Sequence, residues 1–353
     1  MLESEPVLYC VDMGTTRTRA WITEGSVVWA RAATDAGVRD VAAGHPRAWL
    51  ADRLRALLKT VLGEAVLRGL ALRPSAILAA GMVTSDQGLV EVPHVDAPAG
   101  IADIARHLQV ENFMLAEGDS LPLFFVPGVR SGFGVEGLAA TFDTDLMRGE
   151  ETLCLGLLEQ ERLTPGTLLL NLGSHWKLIL VDAQKRIAGS HTRLTGEMIH
   201  AIQAHTLLAS SVPQQRPHML HEDWVQLGYD QAARSGLSRA LYCTRLLDLR
   251  GMGTGEQRLS FLYGCVIHGE MTYLTALRNE RPVSLLLAGS APLARICAKY
   301  ARQLGIPADI LSEDNCEQAY LLGLRTLYRV YAGADSLVSR GAPPLPESEY
   351  LKE

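Results

Sequence analysis

The chain has 353 residues, of which 48% are hydrophobic and 20% charged, the balance of a folded protein with substantial cores and a length that suits two domains. Its 33 basic and 39 acidic residues leave a formal charge of −6, which argues against nucleic acid as the main partner and leaves small anions open. No 18-residue apolar run occurs, the acidic start Met1-Leu2-Glu3-Ser4-Glu5-Pro6 is not built like a secretion signal, and the six cysteines are dispersed without a CxxC pair; no membrane partner is expected, and the chain reads as cytoplasmic with reduced, structural thiols.

Leu8 to Val11 is an apolar run, Gly14-Thr15-Thr16 can turn sharply, and Arg19 to Ile22 resumes an extended pattern, a hairpin signal. Asp12 ends the first strand, where its carboxylate can reach a hydrated Mg²⁺, while Gly14 lets backbone N–H groups approach a phosphate. An ordinary hairpin with a solvated Asp uses the same residues. Val27 to Ala30 follows as a third strand, and Pro46 to Leu70 carries Trp49, Leu50, Leu54, Leu57, Leu58, Val61, Leu62 and Val66 at helical spacing, an amphipathic helix. Ala76 to Ala80 reads as a buried strand ending in Gly81-Met82-Val83-Thr84-Ser85-Asp86-Gln87-Gly88. Polar groups at the carboxyl end of a strand are favoured by ligands, although Ser-Asp-Gln-Gly is also a common turn. Val92 to Ala105 reads as loop and short helix, and Leu123 to Val126 as a strand stopped by Pro127. Gly132, Gly134 and Gly137 form an isolated G-x-G-x-x-G without the acidic residue of a dinucleotide site, so they are read as a mobile loop. Asp145 to Thr152 leads into a helix, and adjacent Glu150 and Glu151 suit its N-terminal dipole. Neighbouring helical positions point apart, so one of the two carboxylates can also face a cleft to bind metal or receive a proton.

Thr167 to Asp182 repeats the first pattern: Leu168 to Leu172 is a strand, Gly173-Ser174-His175 a turn, and Trp176 to Val181 a second strand. Two such hairpins, half a chain apart, suit one phosphate clamp in each of two related domains. His175 serves equally as a turn residue or as a contact to substrate. Thr195 is placed to cap a helix running through Ile199 and Ile202, with Glu197 in its first turn. A helix is expected from Leu259 to Leu277. Val283 to Leu287 is a strand that stops at Gly289-Ser290 and enters a helix from Leu293 to Leu304, a connection able to seat an adenine ring against backbone. The stretch after Ala332, with Pro343, Pro344 and Pro346, reads as a flexible tail. The expected division is residues 1–163, 164–333 and a tail from 334 to 353.

The order of phosphate hairpin, second phosphate hairpin and Ala288-Gly289-Ser290 turn resembles the actin-like sugar-kinase superfamily. Gly81-Met82-Val83, Met147-Arg148-Gly149-Glu150-Glu151-Thr152, Gly173-Ser174-His175 with Lys177, and Thr195-Gly196-Glu197 are similar, more narrowly, to the 2-dehydro-3-deoxygalactonokinase family, over roughly residues 7 to 330. The resemblance implies an α/β fold of two actin-like, ribonuclease H-like domains with a nucleotide cleft between them. It also implies transfer of the ATP γ-phosphoryl group to the 6-hydroxyl of a 2-keto-3-deoxy sugar acid in carbohydrate metabolism. By the same resemblance Asp12 serves Mg²⁺, Gly14, Thr15, Thr16, Gly173 and Ser174 the phosphates, and Gly289 and Ser290 the adenosine. Ser85, Arg148, His175 and Lys177 are the candidates for holding the sugar acid, and Glu150, Glu151 and then Asp86 for accepting the hydroxyl proton. A homodimer is compatible with this reading. Family members often carry a non-acidic residue where this chain has Asp86 and a Pro where it has Leu172, so a less anionic acceptor stays open. An ATP-binding regulator that lost phosphotransfer, and a phosphatase of nucleotides or polyphosphate, are the competing classes.

Overall fold

Runs rich in aliphatic, aromatic and β-branched residues build a three-stranded antiparallel ladder, β1 (Val7–Met13), β2 (Thr18–Glu24) and β3 (Val27–Thr34). In the computed structural model, which describes residues 5–134 and 136–338, this ladder opens the first of two units. Unit 1 takes the chain up to Arg162, the excursion Asp182–Gly189 and the residues from Glu317 on; unit 2 takes Leu163–Val181 and Ser190–Cys316. The boundary therefore differs from a single cut near residue 163, because the last helix joins the first unit.

In unit 1 the ladder is followed by α1 (Val38–Ala42), α2 (Arg47–Leu67) and β4 (Ala76–Gly81). Next come β5 (Val95–Asp96), α3 (Ile101–Ala105), β6 (Gln109–Ala116), β7 (Asp119–Phe125), β8 (Val129–Ser131), α4 (Leu138–Thr141), β9 (Asp145–Met147) and α5 (Glu150–Glu159). The main sheet has the order β3-β2-β1-β4-β7-β6, and β5, β8 and β9 form a small second sheet. The apolar stripe of α2 lies on β2 and β3 and buries Leu50, Leu54, Leu57, Leu58 and Val61. Each such leucine contributes about 2 kcal/mol relative to exposure.

Unit 2 contains β10 (Thr167–Leu172), β11 (Trp176–Val181), the part of β12 (Ile187–Arg193) from Ser190 on, α6 (Thr195–His205), α7 (Glu222–Ser235), α8 (Leu237–Leu249), α9 (Gly255–Glu280), β13 (Ser284–Gly289), α10 (Ala291–Gln303) and β14 (Ala308–Ile310). Its sheet order is β12-β11-β10-β13-β14. With β1 matched to β10, this repeats β3-β2-β1-β4-β7 of unit 1: an antiparallel ladder of three, then two parallel strands on its inner edge. The register repeats too, since Met13 lies opposite Gly81 and Leu172 opposite Gly289. Each unit thus has the strand order of a ribonuclease H-like domain.

The chain closes with α11 (Glu313–Val338). It crosses α5 so closely that a Cβ at Gly156 would collide with the Ala319 carbonyl, and one at Gly323 with that of Thr152. Residues 334–338, expected to start a tail, continue this helix, and 339–353 lie outside the described residues. Thr195 is not the cap of α6; Leu194 holds that position, and Thr195 is the first helical residue, its hydroxyl committed elsewhere. No disulfide forms among the described residues, and burial pushes the Cys10 thiol up to about 11 and the Cys265 thiol up to about 12, which keeps these two inert.

Candidate active site

Three segments of unit 1 converge at the carboxyl ends of its parallel strands. Asp12 is next to last in β1, Gly81 ends β4, and Gly149 precedes α5. Gly81 has φ +89°, and a Cβ there would lie 2.6 Å from the Met13 carbonyl and 3.3 Å from Asp12 Oδ1; a Cβ at Gly149, φ +106°, would lie 3.1 Å from Gly81 Cα. Only glycine fits both places. The Asp12 carboxylate, the Gly81-Met82-Val83 turn and the Glu150 start of α5 therefore share one corner. Asp12 Oδ2 accepts hydrogen bonds from Arg19 Nη2 at 2.5 Å and Nε at 3.1 Å. Arg19 was not singled out from the sequence; its signal is the hairpin register, which sets it directly across from Asp12.

The turn Gly14-Thr15-Thr16 is held from behind by the start of α1. Val38 N–H donates to the Gly14 carbonyl at 3.4 Å and Arg39 N–H to the Thr15 carbonyl at 2.9 Å. A trans peptide points its N–H opposite to its C=O, so the amides of Thr15 and Thr16 face away from α1, an arrangement suited to an anion. Gly37 makes this approach possible, because a Cβ on it would lie 2.5 Å from the Thr15 carbonyl.

The acceptor candidates of unit 1 lie around the turn after β4. Arg148 donates from Nη1 to Thr84 Oγ1 at 2.8 Å and from Nη2 to the Val92 carbonyl at 2.8 Å, with His94 Nδ1 at 3.4 Å. Burial pulls its guanidinium down from the ordinary value, and the carboxylates of Glu151, Glu91 and Asp86 oppose this. Ser85 is buried and its hydroxyl donates to the Met82 carbonyl at 2.8 Å. Asp86 is exposed; Arg47 Nη2 donates to its backbone carbonyl at 2.5 Å.

The structure separates the two glutamates. Glu150 is half-buried, whereas Glu151 is fully buried and both its oxygens accept the Gly149 N–H, at 2.8 and 2.7 Å. Burial, reinforced by the neighbouring Glu150 charge, pushes the Glu151 carboxyl up to about 8. In this arrangement Glu151 is not presented to a substrate hydroxyl; it fixes the glycine that touches Gly81.

Unit 2 builds the same corner with other residues. Asn171 takes the place of Asp12 on β10, and Gly173-Ser174 that of Gly14-Thr15. Glu197 N–H, at the start of α6, donates to the Ser174 carbonyl at 2.7 Å, so the His175 amide faces away from that helix. His175 Nε2 meets Glu197 Oε2 at 2.9 Å, and Lys177 is buried on β11 opposite Asn171. Gly289, φ +146°, abuts the hairpin: a Cβ there would lie 2.7 Å from that of Leu172. Ser290 is the exposed N-cap residue of α10 and makes no side-chain cap bond. Of the four acceptor candidates, Ser85 and Arg148 thus belong to one unit and His175 and Lys177 to the other.

A hydrated Mg²⁺ bridging to phosphate asks for only one or two carboxylates. Asp12 supplies one, with Oδ1 free of the Arg19 contact, and no group of three metal-ligating side chains gathers among the described residues. The donor set fits a metal held mainly by nucleotide phosphates.

Two ribonuclease H-like units, each with a glycine hairpin whose amides are turned outward and one with a carboxylate at its strand end, fit an actin-like sugar kinase. Residues 12–326 match the model of the 2-keto-3-deoxy-galactonokinase family, and the chain belongs to that family. It is therefore a phosphotransferase that uses ATP and a small sugar substrate. It is 26% identical to 2-dehydro-3-deoxygalactonokinase of Escherichia coli K12 over 329 residues, 91% of this chain and 97% of the relative. A crystal structure from Sinorhizobium meliloti assigned to the same enzyme superposes with TM-score 0.69 at 22% identity, covering 91% of this chain and 98% of that one. No helix among the described residues is long and apolar enough to cross a membrane.

Proposed function

We propose that the protein transfers the γ-phosphoryl group of ATP to the 6-hydroxyl of 2-dehydro-3-deoxygalactonate. Family membership supports the substrate class, and the observation that carries the site is the meeting of Asp12, Gly81 and Gly149 in one corner. Asp12 would hold Mg²⁺, which would supply positive charge to offset the charge developing on the transferring group. The Thr15 and Thr16 amides and the Arg19 guanidinium take phosphate oxygens, as do the Ser174 and His175 amides. Gly289 and Ser290 receive the adenosine. Glu150, at the same corner and half-exposed, receives the proton of the attacking hydroxyl, and Glu151 acts through Gly149 to place it. Ser85 and Arg148 hold the acceptor, with the Arg148 charge favouring its carboxylate. His175 and Lys177 fit the nucleotide side better than the acid, because both flank the second turn. Such a site works by aligning the hydroxyl and presenting fixed dipoles to developing charge, and ATP as donor supports a cytoplasmic place of action.

Coupled detection of ADP tests the assignment. ADP should form only when ATP and 2-dehydro-3-deoxygalactonate are both present. Phosphate release without an acceptor would mark a phosphatase, and ATP binding without turnover on any keto-deoxy acid would mark a regulator.

A further inference from the structure

The second hairpin is set by a buried anchor on a helix 75 residues further along. Thr195 Oγ1 donates to Glu270 Oε1 at 2.6 Å, and Arg193 Nε lies 2.5 Å from Glu270 Oε2. Both oxygens of one buried carboxylate on α9 are thus taken by the two residues that flank Leu194, where β12 passes into α6. The Arg193 guanidinium also lies over the Tyr273 ring, 4.6 Å from its centroid, one turn further along α9. The next residue, Gly196, lies against the hairpin: a Cβ there would collide with the Gly173 carbonyl and sit 2.6 Å from that of Ser174. Glu197 N–H then donates to the Ser174 carbonyl. Contact therefore runs unbroken from Glu270 through Thr195 and Gly196 to the two peptide groups whose amides face outward.

We propose that Glu270, Thr195 and Gly196 are positioning residues for nucleotide phosphate binding: they fix the Gly173-Ser174 peptides, so that the Ser174 and His175 amides stay aimed at a phosphate. Unit 1 provides an internal parallel. Gly37 touches the Thr15 carbonyl, and its own N–H is held at 2.9 Å by the Asp40 carboxylate. In both units a carboxylate fixes a glycine-bearing helix start, and that start fixes the phosphate turn. A buried carboxylate is a poor source of stability, since desolvation offsets much of what its partners return; its geometry is explained by what it holds in place.

The proposal rests on the reading of the second hairpin as a phosphate site, and the experiment separates the two. Binding of ATP and of adenosine is measured by calorimetry, with steady-state kinetics and thermal melting, for T195V, T195S, G196A and G173V in the full chain. Thr195→Val removes the hydroxyl at constant shape and should weaken ATP about tenfold while changing adenosine affinity and the acceptor KM less than twofold. Thr195→Ser should restore ATP affinity to within about twofold, and Gly196→Ala should exceed the Thr195→Val loss. A Thr195→Val variant that melts lower but binds ATP normally, or loses ATP and adenosine equally, overturns the proposal. If Gly173→Val destroys ATP binding while Thr195→Val and Gly196→Ala leave it intact, the brace fails and the hairpin reading stands. If Gly173→Val binds ATP normally in a folded protein, both fall.

Discussion

Asp12 and Asn171 occupy equivalent places on β1 and β10, one an acid and one an amide, so of the two strand ends only that of β1 carries a carboxylate. Asp12→Asn should accordingly lower kcat a hundredfold or more with ATP affinity changed less than threefold, because the amide keeps the shape but not the metal charge; unaltered turnover would remove Asp12 from the metal. Glu151 yields a pH dependence of unusual sign. Its carboxyl is raised from 4.5 to about 8 on folding, so the native state binds the proton more tightly than the unfolded chain. This contribution to stability is fully present below pH 4.5 and is lost as pH rises through 8. Glu151→Gln can still accept the Gly149 N–H and cannot ionise, so between pH 6 and pH 9 its melting temperature should fall by several degrees less than that of the parent. Parallel melting curves would refute this cause. Asp86 is exposed in the turn after β4, within electrostatic reach of Arg148. Asp86→Arg should lower the KM for the acid about three- to tenfold at low salt, with the gain shrinking as salt screens it; an unchanged KM places Asp86 outside the acceptor pocket. The sequence marked Asp12, Glu151 and Asp86 by residue type and position. It did not show what Arg19, Gly37 and Glu270 do, because their importance lies in register and in contacts with distant segments.

The hairpin turns owe their form to elements that arrive later in the chain: α1 behind the first and α6 behind the second. Strands β1, β4, β10 and β13 were legible because apolar runs end at glycine, β2 and β11 because an extended pattern resumes after the glycine turns, and α2 because its leucines keep a helical period. Strand β6 escaped because Gln109, Glu111 and Asn112 put polar groups on an edge strand, where pairing rather than hydrophobic pattern sets the structure. Thr195 misled because its hydroxyl has a stronger partner in Glu270 than in its own helix. The connection from β13 to α10 also changes which substitution probes the adenosine. Val at Gly289 would press on Leu172 and strain a backbone with φ +146°, so its effect would mix hairpin distortion with loss of adenine contact. Ser290 is exposed, in ordinary extended backbone, with a side chain that caps nothing. Ser290→Phe should raise the KM for ATP fivefold or more, leave the acid KM within twofold, and keep the melting temperature within about 2 °C. Equal rises in both constants would take the adenosine away from this turn.

The chain passes from one unit to the other at residues 162/163, 181/182, 189/190 and 316/317, so neither unit is a simple half. Internal repetition of the hairpin was legible as two domains, but the return of the last helix was not, since its apolar spacing says only that it is amphipathic. Its partners show where it belongs. Tyr320 donates from its hydroxyl to the Val11 carbonyl at 3.2 Å and its ring lies 6.1 Å from Trp21; Tyr328 and Tyr331 meet Phe124 edge-on, each at 5.3 Å. Leu321, Leu324 and Leu327 are buried, and Gly323 lies against α5. Removing everything after Cys316 would uncover β1, β2, β7 and α5 together, at roughly 2 kcal/mol for each large buried side chain lost, a loss comparable to a typical domain's total stability. Unit 2, which contributes Leu163–Val181 and Ser190–Cys316, keeps its own sheet and its helices α6 to α10. The shortened chain should therefore lose all kinase activity, and Trp21, Trp29 and Trp49 should show solvent-exposed fluorescence while Trp176 stays protected. Variants carrying a single tryptophan in each unit would read the two separately. A cooperative loss of both signals would mean that unit 2 does not hold its fold without unit 1, and protection of Trp21 in the shortened chain would mean that α11 is not what holds the first hairpin in place.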